Sequence, residues 1–107
     1  MLSGRFAPSP TGPLHMGSLV TALASYLDIT SQGGEWYIRI DDIDPPREAQ
    51  GSRAHILRAL TAHGLQSNQP IIYQSQSQAR FKEALNLLKD QTFRCQCTRA
   101  QLAQTSI

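Results

Sequence analysis

Between Arg5 and Ser18 the chain reads RFAPSPTGPLHMGS. Pro8, Pro10 and Pro13 make it stiff, Gly12 and Gly17 make it open, and His15 sits just before a stretch patterned like a helix. A glycine-bearing loop that enters a helix can trap an anion. The first turn of a helix has unpaired N–H groups and a partial positive charge, and phosphate settles against them. His15 can donate a hydrogen bond to a phosphate oxygen while neutral. Gly17 leaves room for a base or ribose to approach the backbone. Pro10 and Pro13 lower the cost of ordering the loop on binding. The spacing matches neither the dinucleotide fingerprint nor the Walker loop. On the residues alone, a proline-rich turn with a surface histidine remains the alternative.

Arg5 and Asp41 are a second pair with chemistry. Both fall near the ends of predicted strands, where open α/β sheets bind ligands. An arginine can clamp a carboxylate with two hydrogen bonds, and an aspartate can hold an ammonium. Together they suit a zwitterionic amino acid. They could equally pair with each other, or Asp41 with Arg39. The segment DIDPPRE adds Asp42, Asp44, Arg47 and Glu48. Its aspartates could attract a hard cation, or Asp44 could cap the turn that follows. Cys95 and Cys97, in FRCQCTR, could bind a soft metal such as zinc or stand as two free thiols. Two cysteines one residue apart are no disulfide framework.

The elements that carry these residues follow from pattern. A short strand is expected at Arg5–Ala7, ended by Pro8. Ser18–Ile29 reads as a helix with Leu19, Val20, Leu23 and Leu27 on one stripe. Ala22, Ala24 and Ser25 leave space there for a close neighbour. In EWYIRID, Trp36, Ile38 and Ile40 alternate with Tyr37, Arg39 and Asp41, a strand of period two. A second helix is expected from about Gln50 to His63, with Ile56, Leu57 and Leu60 on one side and Gly64 at its end. PIIYQ is a short strand. Ser75 and Gln78 have the spacing of a capping box. Phe81, Leu85 and Leu88 mark a third helix to about Lys89. Strands alternating with helices give an α/β fold with a mainly parallel sheet.

The bulk numbers agree with one small domain. The chain has 107 residues, 40% of them hydrophobic, and a net charge of +2. That charge is too small to argue for nucleic acid or a membrane surface by composition. No apolar run is long enough to span a bilayer, and the first residues lack the apolar core of a secretion signal. A reducing, cytoplasmic compartment is expected. The chain stops shortly after the cysteine pair without a clear last element, so it is expected to be part of something longer.

RFAPSPTGPLHMGS resembles the first signature of class I aminoacyl-tRNA synthetases of the glutamyl type, with HMGS at the place of their histidine-x-glycine-histidine-like motif. YIRIDDIDPPRE resembles the strand and loop that follow. GSLVTALASYL and DIDPPRE narrow the likeness to the short glutamyl-Q tRNA(Asp) branch, which lacks an anticodon-binding domain. Ordinary glutamyl-tRNA synthetases usually carry GGARTAL-like and DTD segments there. The resemblance implies a Rossmann-like catalytic domain, of which residues 1–107 would be the N-terminal part. A zinc-binding insertion would start near 95–107.

The implied reaction joins ATP and L-glutamate as glutamyl-adenylate, with magnesium travelling with ATP. Glutamate then passes to the queuosine base of tRNA(Asp). By the same resemblance Arg5, Phe6, Ala7, Pro8 and Ser9 contact glutamate and its adenylate. Pro8, Ser9, Pro10, Thr11, Gly12, Pro13, Leu14, His15, Met16, Gly17 and Ser18 form the nucleotide loop, with His15 and Gly17 at the reacting phosphates. Asp41 stands where the family usually has glutamate, one methylene longer, and weaker or shifted glutamate binding is expected. Cys95 and Cys97 would be half of a zinc site, completed downstream by a tyrosine and a cysteine. The family's lysine-bearing second signature is also absent, so this segment alone is expected to be inactive. A monomer without membrane association is implied. The alternatives are a piece of a glutamyl-tRNA synthetase charging tRNA(Glu), and a non-catalytic nucleotide-binding remnant.

Overall fold

The computed structural model describes residues 2–104. Three strands, β1 (Ser3–Phe6), β2 (Glu35–Ile40) and β3 (Ile72–Tyr73), alternate with the helices α1 (Met16–Ser31) and α2 (Ser52–Ala62). Two further helices follow, α3 (Gln78–Leu87) and α4 (Arg99–Ala103). The sheet order is β1-β2-β3, and both pairings are parallel. Parallel neighbours need a crossover, and α1 and α2 supply the two crossovers. The α/β expectation holds.

β2 forms as its period requires. Trp36, Ile38 and Ile40 are buried, while Glu35, Tyr37 and Arg39 are half-buried on the other face. Trp36 is fully enclosed, and its indole N–H donates to Ser25 Oγ at 2.9 Å. The Tyr26 ring meets it edge-on, with centroids 5.3 Å apart. A buried indole needs such a partner. The core is one cluster that joins Phe6, Trp36, Ile38 and Ile40 to Ala22 and Ile29 of α1 and to Ile56, Leu60 and Leu65 from α2 and its exit. Both helices therefore cover the same face of the sheet.

The side of α1 that meets the sheet differs from the expected stripe. Ala22 and Ile29 are buried and Leu19 and Tyr26 pack against the core, whereas Val20, Leu23 and Leu27 are exposed. Only Asp28 is charged in this helix, so apolar periodicity could not choose between its faces. The small residues chose instead: Ala22 and Ser25 let the helix sit close to Trp36. Ala24, read with them, faces solvent. The same closeness explains Gly34, where an added Cβ would lie 2.6 Å from the Leu2 carbonyl oxygen and 2.7 Å from Ile29.

α2 ends as expected. Gly64 has φ +76°, Leu65 N–H donates to Leu60 C=O and Gly64 N–H to Thr61 C=O. This is a Schellman stop, with buried Leu65 as its apolar contact. The capping box at Ser75 does not form. Residues Gln74–Ser77 are a 3-10 turn, α3 starts at Gln78, and Ser75 turns its hydroxyl to Asp42. A reciprocal box closes α4 instead, between Thr98 and Gln101. Every described residue from Gln78 onward is exposed, including Phe81, Leu85 and Leu88 of the third helical stripe. The Cα radius of gyration is 16.9 Å, against roughly 13 Å for a compact chain of this length. α3 and the cysteine segment thus stand off the sheet.

Candidate active site

β1 delivers the chain to Ala7, and the next eight residues cross the carboxyl edge of the sheet as a loop that bends over residues 10–13. Three of its carbonyls are held from the same side. Pro8 C=O accepts from Asp41 N–H at 2.9 Å, Pro10 C=O from Ala49 N–H at 2.9 Å, and Gly12 C=O from Ser52 Oγ at 2.6 Å. Between the first two of these carbonyls the chain bends tightly, with Thr11 N–H donating to Ser9 C=O at 2.9 Å. Pro10 is buried in this contact and Ser52 is 4% exposed. The loop is thus laced to the segment between β2 and α2. Its other side opens on a cleft of about 320 Å³ lined by Phe6, Pro8, Ser9, Thr11, His15 and Thr21 among others.

α1 begins two residues earlier than Ser18, so Gly17 lies inside its first turn rather than before it. His15 is the N-cap. Its Nδ1 accepts from Ser18 N–H at 3.1 Å, and Nε2 lies 3.0 Å from Ser18 Oγ. Nδ1 as acceptor assigns the N–H to Nε2. An imidazole can thus satisfy one of the helix's orphan donors, the role usually taken by Ser, Thr, Asp or Asn. A Cβ on Gly17 would meet the His15 ring at 3.2 Å. The glycine makes room for its own neighbour's ring as well as for a ligand. Met16 is exposed, and Leu14 packs against the core.

Arg5 and Asp41 share one face of the sheet but not one hollow. Arg5 is register partner to Tyr37 and borders a shallow hollow of about 480 Å³ with Ser3, Gly4, Tyr37 and Ile72. It has no ion pair among the described residues. Asp41 accepts both fork bonds of Arg39, from Nε at 2.5 Å and from Nη2 at 3.0 Å. That pairing raises the Arg39 pKa further, chiefly through the hydrogen bond to Asp41. Nearby, Tyr37 donates to Glu35 Oε2 at 2.6 Å, and that bond raises the phenol's pKa.

The sequence reading missed the role of Asp42. Its side chain is fully enclosed and accepts from Ser75 N–H at 2.8 Å and Ser75 Oγ at 2.7 Å. Arg53 Nη2 lies 3.1 Å away, and Arg53 Nε reaches Glu48 Oε1 at 2.5 Å. Burial pushes the Asp42 carboxyl up. The bonds from Ser75, its own backbone and the Arg53 charge outweigh this and hold it below the usual carboxylate range. The guanidinium of Arg53 also lies 5.8 Å over the Tyr73 ring. The network ties the loop after β2, the start of α2 and the turn after β3 into one wall. Ser75 lies thirty-three residues from Asp42, so no local spacing links the two.

Asp41, Asp42 and Asp44 therefore go three ways. Asp44 sits at the N-cap of the Pro45–Arg47 turn without a side-chain cap bond and pairs with Arg47 at 3.4 Å. Among the described residues, no three His, Cys, Asp or Glu side chains are grouped to hold a metal ion. Cys95 and Cys97 are free and exposed. Two thiols without a third donor do not fit a tetrahedral zinc site. No described helix is long and apolar enough to cross a membrane.

Comparison with known proteins accords with this arrangement. The chain is 52% identical over 103 residues to the glutamyl-Q tRNA(Asp) synthetase of Yersinia pestis, covering 94% of this chain and 32% of that protein. It is 53% identical over 102 residues to the protein of the same name from Xanthomonas oryzae pv. oryzae, covering 94% and 34%. The chain thus spans about a third of the length of these curated relatives. The crystal structure of a glutamate tRNA ligase from Elizabethkingia meningosepticum, in complex with its amino acid, superposes with a TM-score of 0.81. The identity there is 32%, over 96% of this chain and 22% of that one. The three-stranded parallel sheet with its crossover helices is therefore part of a Rossmann-like catalytic fold. Residues 1–106 match the catalytic domain of the class I tRNA synthetases (E and Q), and the chain belongs to that family.

Proposed function

We propose that the protein to which this chain belongs activates L-glutamate with ATP and transfers it to the queuosine base of tRNA(Asp). The observation that carries this reading is the identity of about half to relatives named for that activity, over nearly the whole chain. The 32% identity to a glutamate tRNA ligase favours the shared catalytic fold and sets the tRNA(Glu)-charging alternative second.

The chemistry asked of these residues is alignment. The glutamate α-carboxylate attacks the α-phosphate of ATP, and pyrophosphate leaves. No side-chain nucleophile is required; the rate comes from holding the partners in line and neutralising developing charge. The loop from Pro8 to Ser18 supplies a pre-ordered wall, and the first turn of α1 faces the same cleft. His15 Nε2–H is the donor for a phosphate oxygen, exchanging Ser18 Oγ for it. Magnesium bound with ATP would supply further neutralisation of the phosphate charge.

Arg5, Phe6, Ala7, Pro8, Ser9 and Asp41 are proposed as the glutamate side, with the amino acid reaching between the hollow that Arg5 borders and Asp41 at the end of β2. Arg39 already fills one lone-pair site on each oxygen of Asp41, and a carboxylate has about four such sites. Asp41 can therefore accept an ammonium N–H while the fork keeps it in place. Its shorter arm weakens or shifts that contact. Cys95 and Cys97 are assigned no step in this reaction, since two exposed thiols do not by themselves make a zinc site.

The test mixes the full-length protein with ATP, labelled glutamate and tRNA(Asp) with or without queuosine. Label appearing only on the queuosine-bearing tRNA supports the reading. Label on the 3′ end of tRNA(Glu) overturns it. Nucleotide binding by the full-length protein without pyrophosphate exchange would favour a non-catalytic remnant.

A further inference from the structure

Three carbonyls of the signature loop are held from the segment between β2 and α2, by Asp41 N–H, Ala49 N–H and Ser52 Oγ. Each of these donors is one residue away from a member of a single ion cluster. Asp42 follows Asp41, Glu48 precedes Ala49, and Arg53 follows Ser52. Arg53 joins the other two, with Nη2 3.1 Å from Asp42 Oδ2 and Nε 2.5 Å from Glu48 Oε1. The planar fork presents its N–H donors at fixed angles, so two carboxylates bound to it keep a fixed separation. The cluster is itself anchored, since Ser75 holds Asp42 and the Arg53 guanidinium lies over the Tyr73 ring. The other charged pair of this segment, Arg47 with Asp44, is exposed at 3.4 Å and adjoins none of the three donors.

We propose that Arg53 is a positioning residue for the nucleotide loop. Its guanidinium keeps Asp42 and Glu48 at the separation that sets the three donors under Pro8, Pro10 and Gly12. It does not line the cleft of about 320 Å³ on the loop's other side, so it acts through the loop and touches no nucleotide. A loop fixed at three points is ordered before a ligand arrives, and binding then loses less free energy to ordering it. Without Arg53 the two carboxylates repel, Asp42 is left buried without its cation, and the donors lose their common frame. This role rests on the nucleotide-binding part of the reading above, and on neither the amino acid nor the tRNA.

The test is calorimetric titration of the full-length protein with an ATP analogue that has a methylene bridge between its α- and β-phosphates. Arg53→Gln, Arg53→Lys and Arg47→Gln are each titrated well below their own melting temperature. There a loss of global stability alone leaves the affinity almost unchanged, because nearly all of the protein is still folded. Arg53→Gln is expected to weaken binding by about tenfold. Arg53→Lys keeps a counter-charge for Asp42 and so keeps the fold, but one ammonium does not replace the fork, and binding should weaken by about threefold or more. Arg47→Gln removes an equal charge outside the cluster and should stay within about twofold of wild type. Unchanged affinity in the folded Arg53 variants overturns the proposal. Equal weakening by Arg47→Gln also overturns it, since net charge would then account for the effect. If the affinities follow the expected pattern while wild type shows no glutamate-dependent pyrophosphate exchange, the reaction proposed above falls and the role of Arg53 stands. Wild-type protein that binds no nucleotide overturns both.

Discussion

Ser52 Oγ donates to the Gly12 carbonyl oxygen at 2.6 Å, across forty residues of sequence. With the bonds to Pro8 and Pro10, it makes the start of α2 the support of the signature loop. Ser52→Ala leaves a carbonyl without its partner in a buried contact, which costs about 1–3 kcal/mol. The denaturant midpoint should fall accordingly. Hydrogen exchange at Gly12 and Leu14 should speed up more than at Ile38. Equal exchange at all three would assign Ser52 no role in holding the loop.

His15 is the N-cap of α1, and the proposed reaction gives it a second, separable task as a phosphate donor. As N-cap it satisfies Ser18 N–H, and His15→Ala should lower stability by about 1 kcal/mol. His15→Asp keeps a cap acceptor and should restore that stability. In the full-length protein both variants should slow glutamate-dependent pyrophosphate exchange, because neither places an N–H donor there. Recovery of exchange by His15→Asp would reduce His15 to a cap.

Asp42 sets an acid sensitivity. Its folded pKa lies below the ordinary 3.8. The ionised form therefore stabilises the fold above the unfolded value, and this contribution is lost as pH falls through the folded one. Asp42→Asn should cost about 2 kcal/mol at neutral pH, the range for hydrogen bonds to a charged group. The gap to wild type should narrow below pH 3.8. Urea titrations across that range check it; a constant gap would contradict the assignment.

Gly34 is sterically required. Its φ is not in the left-handed region, but a Cβ would strike the Leu2 carbonyl and Ile29. Gly34→Ala should destabilise by about 1–3 kcal/mol, the usual cost of forced overpacking. Gly12→Ala, where nothing lies within 4 Å, should change stability far less. Thermal melts of the two variants side by side decide the matter.

Cys95 and Cys97 should bind zinc weakly in this chain, since metal affinity is coupled to a complete ligand set. One equivalent of zinc should leave both thiols reactive toward a colorimetric thiol reagent. The full-length protein should protect them. Protection in the 107-residue chain would mean that two thiolates suffice or that copies share the ion.

Much of this protein is legible from local chemistry. Period two in EWYIRI, the prolines after Ala7 and Asp44, and Gly64 at the end of α2 each act within a few residues. The strands, loops and helix stop they dictate are observed, with β1 at Ser3–Phe6 rather than Arg5–Ala7. The signature loop and its helix are readable for the same reason, apart from two residues at the start of α1. Tertiary structure alone decided which side of α1 faces the core, because that helix is apolar on two sides and only the approach of Trp36 selects the small one. It also decided the partners of the aspartates. Asp41, Asp42 and Asp44 are near neighbours in sequence, yet each goes to a different arginine, one of them on another helix. A carboxylate takes whichever cation and N–H donors the packing brings near, and for Asp42 that included Ser75, which lies thirty-three residues away and which local spacing had assigned to a helix cap.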